Sequence, residues 1–344
     1  MVFRSGIVGC GRIGSEFDDD PKRKVISSHA GAYSNNRKTK LVAVADVNPE
    51  KLGKCKSRWN VPTAYSDYKE MLAKENLDIL SICTWSSTHA EIVREAVKHK
   101  LKAIFCEKPI ATTLSEAKEM VALCQKNNVL LFIDHQRRFD TFHQNVRGML
   151  RDDKLGKILQ ATFYYTAGIA NTGSHVLDLL RFYLGDAKWA MANYSDVQSP
   201  NPDDPNIDGM IKFENGATVM LQACDVKSYL MFELHLLGTT GKISITRSGF
   251  DGEYLEPGES TLFSGYHELS PKEFPFDKNT PREFMKRAVA HIVECIEKKE
   301  NPISSGEDGY ASLELICALH QSAKQLGKRV TLPLKGSDIV IKSR

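Results

Sequence analysis

Five consecutive residues, Phe105-Cys106-Glu107-Lys108-Pro109, set a carboxylate and an ammonium side by side ahead of a proline. An apolar run over residues 102–106 leads into them and reads as a buried strand. The helix that follows starts at a capping box, Thr113-Leu114-Ser115-Glu116. Glu107 and Lys108 are therefore expected where a parallel strand has ended and a helix has yet to begin, the edge at which open α/β sheets bind ligands. The proline can fix a turn there, through a cis bond among other ways. In that placement Lys108 meets a reacting group; the same residues also fit a surface ion and a loop proline.

A second constellation lies at the start of the chain. A strand expected over residues 2–8 runs into Gly9-Cys10-Gly11-Arg12-Ile13-Gly14. Gly9 permits the tight turn, Gly11 lets the backbone approach a pyrophosphate, and Gly14 lets helix pack on strand. The N-terminus of the following helix offers N–H groups to phosphates. The acidic residue that should follow about 20 positions later comes late. Residues 18–28 are charged, contain Pro21 and read as an insertion, with the helix resuming over residues 29–33. Asp46 closes a strand over residues 41–45. A carboxylate there accepts hydrogen bonds from a ribose diol and repels a 2′-phosphate, which favours NAD over NADP. An Asp just ahead of Asn48-Pro49 also fits a turn.

These groups need a frame. Helices are expected over residues 50–58, 66–75 and 89–99, and strands over 63–65, 77–83 and 129–133, which gives repeated β-α units and a parallel, right-handed, doubly wound sheet. After a helix ending near Arg151 the pattern changes. Residues 158–166, 189–197, 209–214, 218–224, 231–237 and 242–246 read as strands joined by tight turns, hence a mostly antiparallel sheet. Helices around His175, Phe284 and Leu313 are expected to cover one face, and the open face predicts a homodimer or homotetramer. Within the stretch Asn171 to Asp178 the apolar positions mark a helix with one buried stripe, and His175 shares a face with Asp178.

A chain of 344 residues has room for two domains. They are expected at 1–134, binding the dinucleotide, and 135–344, binding substrate and assembling the oligomer. A net charge of +3 gives no case for a nucleic-acid or membrane partner. The eight cysteines are scattered, show no close metal-ligand spacing and fit reduced thiols, so no metal and a cytoplasmic location are expected. No charged n-region, apolar core and cleavage site, and no bilayer-length apolar run, is found.

Taken in order, these motifs resemble the glucose-fructose oxidoreductase, inositol dehydrogenase and rhizopine catabolism (Gfo/Idh/MocA) family. Gly9 to Gly14 is similar to its dinucleotide loop. Thr84 and His89 match a Thr-Pro-Asn-x-x-His element, with Trp85 and Ser86 where Pro and Asn are usual. Glu107-Lys108-Pro109 matches its Glu-Lys-Pro motif, and His135-Gln136-Arg137-Arg138-Phe139 a segment opening the second domain. Ser305 to Gly309, Ser322-Ala323 and Gly327-Lys328 resemble its closing helix. The resemblance implies an α/β Rossmann domain plus an α+β domain with a large, mostly antiparallel sheet. It implies NAD held by Gly9, Gly11, Arg12, Ile13, Gly14, Asp46, Thr84, His89, Glu107 and Gln136. It implies hydride transfer to or from a secondary alcohol of a sugar or cyclitol, with Lys108 and His175 catalytic and Lys108, Arg138, Asn171, His175 and Asp178 contacting substrate. Asn171 stands where the family places Asp or Asn; an amide exchanges no proton at neutral pH, so His175 is left as the proton carrier. Packing and surface roles are open to Gln136 and Arg138, and a backbone-bonded helix start to His175. Two alternatives share the fold: a nucleotide-sugar dehydrogenase of surface-polysaccharide synthesis, and a non-catalytic NAD-binding sensor.

Overall fold

The computed structural model describes residues 1–342. The chain forms two compact units, the first made of Met1–Asp140 and Pro281–Ala311, the second of Thr141–Thr280 and the residues from Ser312 onward. The expected division into 1–134 and 135–344 uses one crossing; in the structure the segment Pro281–Ala311 returns to the first unit.

The first unit is a parallel sheet of β1 (Phe3–Val8), β2 (Thr39–Ala45), β3 (Thr63–Tyr65), β4 (Ile79–Ile82), β5 (Ala103–Cys106) and β6 (Leu130–Ile133), in the order β3-β2-β1-β4-β5-β6. β1, β4 and β5 are buried almost throughout because helices cover both faces, which is why they read as apolar runs rather than alternations. The crossovers are α1 (His29–Ser34), α2 (Pro49–Arg58), α3 (Tyr68–Lys74), α4 (Ser86–Ala96) and α5 (Leu114–Lys126). The start of α5 follows the capping-box signal. Thr113 accepts the Glu116 N–H at 3.2 Å, while the Glu116 carboxylate takes the hydroxyls of Thr112 and Thr113. α4 begins three residues before His89, so His89 sits inside the helix and does not open it.

The insertion interrupts a helix. After the glycine loop one helical turn forms, with Ser15 N–H bonded to Gly11 O and Phe17 N–H to Arg12 O. The chain then leaves and rejoins the same axis: His29 N–H reaches Ile13 O and Ala30 N–H reaches Gly14 O, each at 3.0 Å. Asp18 closes the excursion by accepting Ser27 N–H at 2.6 Å and the Ser28 hydroxyl, and Asp19 pairs with Lys54 and Arg58 on α2. The helix behind the glycine loop is thus a single turn plus the six residues of α1.

Helix α8 (Phe284–Lys298) corrects one expectation. Its stripe Phe284, Met285, Ala288, Val289 and Ile292 packs with Ala30, Tyr33, Phe105, Phe132 and Phe139 in the core of the first unit, so it does not cover the second sheet. An amphipathic stripe shows that a helix is buried without showing which surface buries it.

The second unit holds α6 (Thr141–Arg151), α7 (Gly173–Leu184) and a mixed sheet. Its strands are β7 (Ile158–Tyr165), β8 (Ala187–Tyr194), β9 (Ile207–Phe213), β10 (Thr218–Ala223), β11 (Phe232–Gly238), β12 (Lys242–Thr246), β13 (Asp251–Glu259), β14 (His267–Lys272) and β15 (Val330–Thr331). The order is β14-β13-β12-β11-β7-β10-β9-β8-β15, antiparallel except for the β7–β10 pair. Phe163, Leu221, Leu234, Ile243 and Ile245 are fully buried on one face, with Val176, Leu179 and Leu180 of α7 and Leu313, Ile316 and Leu319 of α9 (Gly306–Lys324) also in the core. On the other face Met191, Met210 and Met220 are cross-strand neighbours. Strands β13 and β14 lie outside the expected set. They carry Pro257, Gly258 and Pro271, turn-forming residues that outer strands accommodate.

Burial also makes this unit acid-sensitive. His320 on α9 is buried, with Nδ1 3.3 Å from the Tyr194 hydroxyl, and burial, aided by Lys324, pulls its pKa down from 6.5 to about 4. The native state therefore binds fewer protons than the unfolded chain between those two values. This contribution is fully present above pH 6.5 and is lost as pH falls toward 4, at a cost of about 3 kcal/mol. We expect the unfolding midpoint of His320→Leu to vary less with pH over that window than the wild-type midpoint. An unchanged pH dependence in thermal melts would refute the linkage.

Candidate functional site

In the first unit the expected cofactor residues gather at the C-terminal edge of the sheet. β1 gives way to Gly9, whose φ of +97° suits glycine, and a Cβ there would lie 2.7 Å from Cys83 O. A Cβ on Gly14 would run into the Gly9 carbonyl, so only glycine allows the chain to fold back this closely. Around Gly11 the surface is open, its imaginary Cβ meeting nothing nearer than the Lys51 ammonium at 3.8 Å. These three environments match the three glycine roles of a dinucleotide loop, and the backbone fits a pyrophosphate. Asp46 stands at the end of β2; one carboxylate oxygen accepts Cys10 N–H at 2.6 Å and the other Asn48 N–H at 2.8 Å. Arg12 is exposed, with its guanidinium 5.0 Å over the Phe17 ring, and Ile13 is half-buried.

Thr84 follows β4 and accepts the Thr88 hydroxyl at 2.7 Å. His89 is fully buried, its ring nitrogens 3.2 Å from Ile110 O and 3.2 Å from Thr84 O. It braces the loops after β4 and β5 against each other, and burial lowers its pKa. Glu107 and Lys108 follow β5 directly, the Lys108–Pro109 bond is cis, and Lys108 is half-buried. Gln136 and Arg138 share the short turn Gln136–Phe139; Gln136 is half-buried. Arg138 is 5% exposed, bonded to Ile303 O at 2.9 Å and paired with Asp308 at 3.0 Å.

Two residues that the sequence reading did not select complete this edge. His29 of α1 places Nε2 3.0 Å from Glu107 Oε1 and 3.7 Å from Asp134 Oδ2, and its Nδ1 meets Ser81 Oγ at 2.9 Å. Burial pulls His29 down to about 4, although Asp134 opposes the shift. Burial pushes Glu107 up, and pushes Asp134 well up with the help of Glu107. The available signal was a histidine followed at once by Ala-Gly-Ala-Tyr, an apolar setting in which an imidazole must find a partner.

In the second unit Asn171, His175 and Asp178 lie on one continuous helical segment, a wide turn over Gly168–Thr172 running into α7. Asn171 and His175 are half-buried and Asp178 is buried. Asp204, also missed from sequence, holds the turn. Its two carboxylate oxygens accept the N–H groups of Ala170 and Asn171, each at 2.8 Å, and Asn206 accepts Gly168 N–H at 2.9 Å. Asp204→Ala leaves one buried and one half-buried backbone donor without their acceptor and should cost about 2 kcal/mol. Asp204→Asn keeps one acceptor oxygen and should cost less, as denaturant unfolding will show; equal midpoints would remove this role.

D-apiose dehydrogenase of Paraburkholderia graminis is 24% identical over 353 residues, covering 96% of this chain and 90% of that protein. Inositol 2-dehydrogenase of Rhizobium meliloti is 25% identical over 343 residues, covering 94% and 98%. The WlbA dehydrogenase of Bordetella pertussis, solved in complex with NADH and UDP-GlcNAcA, superposes with a TM-score of 0.78 at 22% identity, over 97% of this chain and 100% of that one. Residues 3–135 match the oxidoreductase family model described as an NAD-binding Rossmann fold, and residues 166–332 match its C-terminal alpha/beta domain. With glycine loop, strand order and mixed sheet all in agreement, the chain belongs to the Gfo/Idh/MocA oxidoreductase family.

Proposed function

We propose that this chain is an NAD-dependent dehydrogenase acting on a secondary alcohol of a sugar or cyclitol. The carrying observation is Glu107-Lys108-Pro109 at the C-terminal end of β5 in an NAD-binding unit, in a chain whose full-length relatives include D-apiose and inositol dehydrogenases. The nicotinamide supplies the hydride acceptor or donor. The protein's part is to bind, orient and move the hydroxyl proton. Gly9, Gly11, Arg12, Ile13 and Gly14 hold the pyrophosphate side, and Asp46 the adenosine ribose. Thr84, His89 and Gln136 line or brace the nicotinamide side, and Glu107 contacts its ribose. Lys108 hydrogen-bonds the alcohol oxygen and stabilises alkoxide character. His175 takes the proton, since an imidazole titrates near working pH. Asn171 and Asp178 contact or orient substrate and imidazole. Arg138, with its buried ion pair to Asp308, acts from behind as a brace.

The first unit is assigned the cofactor and the second the substrate and self-association, through the sheet face that carries Met191, Met210 and Met220. A homodimer or homotetramer is expected; sedimentation showing only monomer at micromolar concentration would reject it. Eight free cysteines fit a cytoplasmic setting. Among the described residues no helix is long and apolar enough to cross a membrane.

The test is absorbance in the reduced-nicotinamide band during a screen of inositols, hexoses, branched pentoses and UDP-sugars. Asn171 favours keeping a nucleotide sugar as the second reading, and turnover of UDP-sugars alone would select it. Tight NAD binding with no turnover of any would instead indicate a sensor, a role for which retention of Lys108 and His175 gives no reason.

A further inference from the structure

Glu107 does not face its site alone. Its carboxyl, the Asp134 carboxyl and His29 Nε2 lie within 4.8 Å of one another, brought together from the ends of β5 and β6 and the first residue of α1. His29 is 0% exposed, Asp134 2% and Glu107 9%, so water does not neutralise the cluster. The imidazole is fixed on its far side by Ser81 Oγ, which also meets the Tyr33 hydroxyl at 2.8 Å, and the Phe105 ring centroid lies 4.6 Å from the imidazole. Nε2 lies 3.0 Å from Glu107 Oε1, while Asp134 Oδ1 has no hydrogen-bond partner. Two carboxylates this close in a dry pocket do not both ionise. A proton shared between them supplies the donor that the pocket lacks.

The other ionisable groups around the pair leave that proton in place. Tyr33, Cys83 and Cys106 are pushed up by burial and stay neutral. Lys108 favours the ionised form of Glu107, and His135 and His29 that of Asp134, but burial outweighs each of them.

We propose that His29 and Asp134 are positioning residues that hold Glu107 in a proton-sharing carboxyl pair, and that the oxidised, positively charged nicotinamide expels the shared proton to solvent while the neutral reduced ring leaves it bound. The proposal rests on the reading of Glu107 as a nicotinamide-ribose contact. The carboxyl O–H bond breaks, the proton passes to buffer, and the pair is left with one more negative charge opposite the cationic ring. Affinity for NAD+ then rises with pH by up to about tenfold per pH unit across the titration of the pair, and affinity for NADH stays flat.

The test is calorimetric titration of the full chain with NAD+ and with NADH, each in two buffers of different ionisation enthalpy. Proton release with NAD+ and little or none with NADH is the expected result, with the difference abolished in Asp134→Asn and reduced in His29→Gln. The wild-type proton count decides the matter even if a variant fails to fold. Binding of both nucleotides with equal proton counts overturns this proposal and leaves the dehydrogenase reading standing. Failure of both nucleotides to bind overturns the two together. A stoichiometric divalent metal in the purified protein, lost in His29→Gln, overturns the proposal by putting a cation where the proton is placed.

Discussion

Lys108→Ala and His175→Ala are each expected to lower turnover by about 100-fold or more and to leave NAD binding nearly intact. The backbone at Lys108 is fixed by its neighbours. β5 delivers it to the sheet edge, and buried His89 grips Ile110 O two residues beyond. Truncation at Lys108 removes the ammonium while the backbone contacts of the loop remain. His175 follows the turn fixed by Asp204 and precedes the buried stripe of α7, so its backbone is equally well determined. An alcohol is a poor acid, and loss of either the proton carrier or the alkoxide partner falls on the transition state, hence on turnover more than on binding. Steady-state rates with NAD affinity measured in parallel separate the two. Wild-type-like turnover in either variant would reject its catalytic assignment.

Asp46→Ala should weaken NAD by about 10- to 100-fold, the scale of charge-assisted hydrogen bonds to a ribose diol, and relax the rejection of NADP. The geometry adds a second effect. Asp46 also accepts the N–H of Cys10 inside the glycine loop at 2.6 Å, so its removal loosens the loop as well as the ribose contact. Asp46→Asn removes the charge that repels a 2′-phosphate while its amide oxygen keeps the Cys10 bond, at the expense of the Asn48 N–H that the second carboxylate oxygen accepts. Titration of each variant with NAD and NADP checks this, and an unchanged preference would refute the ribose role.

Much of the first unit was legible because each of its signals is local. Apolar runs of strand length, a capping box at Thr113 and glycines at 9, 11 and 14 depend only on near neighbours. The missing pieces are those whose reasons are distant in sequence. α8 shows its stripe in sequence, but the surface that receives it comes from residues 30–139. β13 and β14 contain prolines and glycines that a local reading assigns to turns, and the ladder with β12 overrides that preference.

By itself the sequence determined the alternation of strands and helices in the first unit, the placement of Lys108 at a sheet edge and of His175 at the start of a helix. Those outcomes follow from periodicity, capping and glycine stereochemistry, which act over a few residues. Only the tertiary structure decided that His29 and Glu107, 78 residues apart, meet with Asp134 in one buried cluster, and that Asp204 clamps the turn before His175. A buried charge takes whatever partner the packed chain brings within reach, and no local pattern in the sequence names that partner.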